Sequence, residues 1–70
     1  MTLEDFRLEC QWSKNEMARQ AGLDFGTTNK AIKGEEPISL NTANKLAHAI
    51  SRKLGRTIRI QDIEGLNISS

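Results

Sequence analysis

The stretch Ser13 to Gly34, SKNEMARQAGLDFGTTNKAIKG, constrains this chain most, because it sets two short amphipathic helices end to end around a glycine. Ser13 followed three residues later by Glu16 has the spacing of a capping box. The Ser hydroxyl would accept from the Glu16 N–H and the Glu carboxylate would reach back to the Ser13 N–H, so a helix is predicted from about Lys14. Met17, Ala18 and Ala21 form its buried stripe, and Gly22 can take the positive φ that ends it and turns the chain sharply. Asp24 can cap a second helix, Phe25 to Lys33. At about 100° per residue, Phe25, Thr28, Ala31 and Ile32 fall on one side of it, with Phe25 at the border. Gly26, Asn29, Lys30 and Lys33 fall on the other. Gly26 costs about 1 kcal/mol of helix propensity against Ala, so either the backbone there approaches something closely or the helix starts weakly. Gly34 stops the helix and Pro37 cannot continue it.

Ser39 is placed to cap a longer helix, Leu40 to about Leu54, with the apolar stripe Leu40, Ala43, Leu46, Ala47, Ile50 and Leu54 and Gly55 as its stop. The opposite face, Asn41, Lys45, His48 and Arg52, is either solvated or tracks phosphates, and solvation is the simpler account. His48 has no second ligand at metal spacing, so no metal and no cofactor are expected. Arg52, Lys53, Arg56 and Arg59 gather at a helix C-terminus, where cations complement the dipole. Ahead of the central stretch, Thr2 with Asp5 or Glu4 can begin a first helix, Leu3 to Gln11, burying Leu3, Phe6 and Cys10. Trp12, just before the Ser13 cap, reads as a staple onto the next helix rather than a stacking platform for a base. In the tail, Ile58 and Ile60 alternate with Arg59 in an extended segment leading to one short helical turn. Leu66 and Ile68 either cover the core or meet a second copy.

Seventy residues make one domain, 1–70, which buries only about 60% of its unfolded surface. One cysteine cannot form an internal disulfide, and the acidic start MTLEDF is unlike a signal peptide. No apolar run nears the roughly 20 residues of a membrane span, so no membrane is expected and a cytoplasmic setting is. A net charge of +1 does not by itself identify a nucleic-acid binder.

The pattern Ser13-x-x-x-Met17-Ala18-x-x-Ala21-Gly22-Leu23-x-x-x-x-Thr28-x-x-Ala31-x-x-Gly34-x-x-Pro37-x-Ser39-Leu40 resembles the lambda-repressor-like, or Cro-type, helix-turn-helix family across essentially the whole chain. The resemblance implies an all-α, compact bundle of about five helices with a central helix-turn-helix. It also implies a sequence-specific DNA-binding transcriptional regulator. Base edges of double-stranded DNA would be met in the major groove by Phe25, Gly26, Thr27, Asn29 and Lys30, since Asn pairs with adenine, Lys with guanine, and Phe or a Thr methyl with the thymine methyl. Lys14, Lys33, Ser39 and Asn41 would hold phosphates. One reading helix offers little contact area and dimers of this motif read half-sites about 34 Å apart, so a homodimer is expected.

In that family an arginine at the place of Arg7 commonly pairs with a glutamate two residues before the glycine that ends the reading helix. Here that position is Ile32, so Arg7 must find another partner, such as Glu35, Glu36 or solvent. Glu35 and Glu36 occupy a loop that approaches phosphate in the family. They either weaken the DNA reading or point away and lock Arg7 or a lysine. No catalytic constellation is present and no enzyme is expected, Gly22-x-x-x-Gly26-Thr27-Thr28 lacking the Lys of a phosphate loop. The alternative is a protein-interaction module, with a possible protein partner and an antitoxin-like role.

Overall fold

The computed structural model describes residues 1–69. Helix α1 runs Leu3–Glu9, α2 Lys14–Ala21, α3 Phe25–Lys33 and α4 Leu40–Leu54. Strand β1, Ile38–Ser39, precedes α4, a 3-10 turn spans Ile60–Asp62, and β2, Ile68–Ser69, lies parallel to β1 with Ile38 beside Ile68. The fold is compact and roughly all-α, as expected, with four α-helices rather than about five, together with one three-residue 3-10 turn and a two-stranded pair among the described residues.

Local chemistry explains the helix ends. Thr2, Ser13, Asp24 and Ser39 each accept from a backbone N–H three residues on, at 3.0–3.1 Å. The full capping box lies at Thr2 and Asp5, whose carboxylate accepts from the Thr2 N–H at 2.9 Å. At Ser13 only half of the expected box forms, because the Glu16 carboxylate is taken by Arg19 and Gln20. Helices α2, α3 and α4 stop at Gly22, Gly34 and Gly55, all in the left-handed region.

Helix α1 has no glycine to end it and stops two residues short of the expected Gln11. Gln11 itself takes φ 60°, and the Trp12 N–H reaches back to the Arg7 carbonyl at 3.2 Å. A left-handed residue with a side chain costs about 1–2 kcal/mol. The turn is held by Arg7, whose guanidinium donates to the Trp12 carbonyl at 2.7 Å while Glu4 grips it with two bonds of 2.7 and 2.6 Å. Arg7 therefore does find another partner, but within its own helix rather than at Glu35, Glu36 or in solvent.

Met17, Leu46 and Ile50 are wholly buried and form the centre of a core completed by Leu3, Phe6, Trp12 and Ala43. Trp12 is buried in that core, in keeping with its reading as a staple. Cys10 packs there too, and burial, with Glu9 adding to it, pushes its thiol pKa up, as suits a small apolar group. Leu40, expected in the α4 stripe, is 56% exposed. Ile38, two residues earlier, is buried instead, and Ala49 widens the buried face of α4.

The tail runs in the expected order, extended through the buried Ile58 and then into the 3-10 turn, but the turn begins at Ile60, expected in the extended segment. The Ser51 hydroxyl ties it to α4, accepting from the Ile58 N–H at 2.8 Å and donating to the Ala47 carbonyl at 2.8 Å. Leu66 and Ile68 pack against the core, so these two residues cover it within one chain. The Glu64 N–H donates to the Met1 carbonyl and the Ile38 N–H to the Asn67 carbonyl, both at 2.8 Å. One tail thus fastens the start of α1 and the entry to α4. The cations at the end of α4 are similarly engaged, Arg52 with the Gln20 carbonyl at 3.1 Å and Arg56 with Glu9 at 3.1 Å.

Gly34 is the tightest point. Its φ is +69°, and a Cβ built there would lie 2.7 Å from the Gly65 carbonyl oxygen, whereas one at Gly55, φ +70°, would meet nothing within 4 Å. Gly55→Ala incurs only the left-handed strain, about 1 kcal/mol, while Gly34→Ala adds a backbone clash and is expected to lose more than about 2 kcal/mol in urea unfolding. Equal losses for the two variants would mean that the tail yields freely at Gly65.

Candidate nucleic-acid interface

Helix α3 is divided between a buried and an open side. Thr28 and Ala31 are buried and Leu23 and Ile32 half-buried, so the helix is anchored on α2 and the core. Gly26, Lys30 and Lys33 are exposed, while Asn29 and Thr27 are half-buried. Phe25, placed by its periodicity on the core side, is 46% exposed. At the first helical position its side chain has not reached the core, and Leu23 fills that role from the turn.

Asp24 fixes the start of α3. Its carboxylate accepts from the Thr27 N–H at 3.1 Å and from the Thr27 hydroxyl at 2.6 Å, and these bonds, the hydroxyl first, hold its pKa below the usual aspartate value. A Cβ on Gly26 would come within 3.2 Å of that carboxylate, so the glycine leaves room for the cap. This supplies a local reason for its presence beside the close-approach reading.

Gly26, Asn29, Lys30 and Lys33 line a notch of about 290 Å³ with Glu35 and Glu36 on its far wall. Lys30 Nζ lies 3.3 Å from Glu36 Oε2. Of the two loop glutamates, Glu36 thus engages a lysine, while Glu35 makes no ion pair among the described residues. Asn29 Oδ1 is shielded and has no partner among the described residues, so pairing with an adenine edge requires the amide to swing outward. Thr28 Oγ1 is likewise unpartnered and faces the interior.

The four residues expected at phosphates sit on other ground or at the helix end. Lys14 is the first residue of α2 and half-buried, Lys33 the last of α3, and Ser39 and Asn41 flank the first residue of α4. The Ser39 hydroxyl is already committed as a cap, donating to Thr42 Oγ1 at 2.9 Å and accepting from the Thr42 N–H. What remains there for an anion is the backbone N–H of the first turn of a fifteen-residue helix. Sequence reasoning did not single out the pairing of Glu36 with Lys30. Opposite charges flanking the Gly34 turn were its only signal.

Among the described residues no group of His, Cys, Asp and Glu is placed to hold a metal, and no helix is long and apolar enough to cross a membrane. No family model, curated protein or solved structure matches the chain.

The lowered pKa of Asp24 has a defined sign. The cap contributes its full stability above the unfolded value near pH 4, and that contribution is lost as pH falls through the still lower folded value. Asp24→Asn keeps the acceptor and removes the titration. The melting temperature of the wild type is expected to fall more steeply below pH 4 than that of Asp24→Asn, and parallel curves would remove the carboxylate from the account.

Proposed function

We propose that this protein is a sequence-specific DNA-binding transcriptional regulator of the Cro/repressor type, laying α3 in the major groove as one half of a homodimer. The observation that carries this reading is the division of α3: Thr28 and Ala31 anchor it, and Gly26, Lys30 and Lys33 are exposed, with Asn29 half-buried among them, on a helix whose two ends are fixed by Asp24 and Gly34. Asn29 and Lys30, with Phe25, Gly26 and Thr27 in the first turn, meet base edges. Lys14, Lys33 and the backbone at Ser39 and Asn41 meet phosphates and set the register. A cytoplasmic setting, where DNA is met, goes with this function.

A second reading has its own support. Phe25 is a large exposed aromatic, and the notch beside it balances Lys30 and Lys33 against Glu35 and Glu36. Such a surface suits a protein partner, and an antitoxin-like module would carry both functions.

Selection from a random duplex pool separates the two. Two inverted half-sites about one helical turn apart are expected, with about three phosphate contacts per subunit giving a log–log salt slope of about −5. Lys30→Gln should change the preferred sequence, whereas Lys14→Gln and Lys33→Gln should weaken all sequences alike. Absence of both enrichment and salt-sensitive retention would favour the protein-partner reading.

A further inference from the structure

Lys30 is the one base-reading candidate that carries charge, and the structure engages it. Its ammonium lies 3.3 Å from the Glu36 carboxylate, with both side chains more than half exposed. An ion pair in that setting is weak and opens readily, and the lysine stem is flexible enough to follow another acceptor. Glu36 stands two residues beyond Gly34, whose left-handed backbone passes close to the Gly65 carbonyl, so the chain delivers it beside the last turns of α3. Its neighbour Glu35 lines the same notch but makes no ion pair among the described residues.

From this geometry we propose that Glu36 is a specificity-determining residue of the DNA surface, holding Lys30 in the unbound protein and giving it up at less cost to a guanine edge than to a phosphate. The inference rests on the DNA-reading function above and adds a residue that discriminates without touching a preferred base. On arbitrary DNA, Lys30 would exchange one anion for another, and the freed Glu36 would stand near phosphates that repel it. Where a guanine presents O6 and N7 together, the opened lysine gains two acceptors on the groove floor, which offsets the broken pair. Glu36 thus lowers non-specific binding more than specific binding, which is discrimination by a repulsive element.

The test measures wild type, Glu36→Gln, Glu35→Gln, Lys30→Gln and the Lys30→Gln/Glu36→Gln double variant on the selected site and on a scrambled duplex across a salt series. Glu36→Gln is expected to bind the scrambled duplex about five- to tenfold more tightly, to gain less on the selected site, and to steepen the salt slope by about 0.9 per subunit as Lys30 joins the phosphate contacts. Glu35→Gln, the same charge change next door, should leave the ratio of the two affinities within about twofold of wild type. The gain from Glu36→Gln should vanish when Lys30 is absent. Equal effects of the two glutamate variants, or a gain that persists without Lys30, would overturn the inference while leaving DNA reading intact. Failure of wild type and Glu36→Gln alike to bind either duplex would remove the DNA-reading function and this inference with it.

Discussion

The structure depends on the close passage of two backbones where Gly34 meets Gly65. No side chain fits at Gly34, both because its φ is +69° and because the Gly65 carbonyl occupies the place a Cβ would take. The crossing lies at the end of α3, just before the Glu35–Pro37 loop, and three residues before the tail's Ile68 pairs with Ile38. Through Glu64 the same tail reaches the first residues of the chain. A small domain with few large core residues gains its order from such crossings as much as from apolar burial, because its surface is large for its volume.

The consequence for the open face of α3 is that its ends are capped while its charges stand in solvent. Asp24 and Gly34 fix the helix ends, while Lys30 and Glu36 remain in solvent and can exchange partners. The net charge of +1 therefore understates what the surface can present, since one cation is masked by a carboxylate from the same chain. Under the proposed DNA-reading function, electrostatic attraction alone would give weak retention on arbitrary DNA, and the discrimination would lie in which acceptors can draw Lys30 away.

Much of the helical layout is legible in the sequence because its signals are local. Ser13, Asp24 and Ser39 start α2, α3 and α4, and Gly22, Gly34 and Gly55 end them, at the positions expected from capping chemistry and periodicity. The departures share a cause in tertiary or neighbouring contacts. Gln11 is forced into a left-handed turn that Arg7 and Glu4 secure, and Leu40 yields its core place to Ile38. The β1–β2 pair joins residues far apart in the chain and has no sequence pattern of its own. At the interface, the residue types on α3 are legible, but the pairing of Lys30 with Glu36 and the shielding of Asn29 Oδ1 depend on how the loop folds back.

The central claim is that DNA is met by the open face of α3, and amide chemical shifts followed during titration with a selected duplex test it most directly. The account predicts large shifts at Gly26 to Lys33, with Lys14 and Ser39 to Asn41 responding as phosphate contacts, while the outer face of α4 around Lys45 and His48 stays unmoved. Shifts centred on that α4 face, with α3 silent, would contradict it.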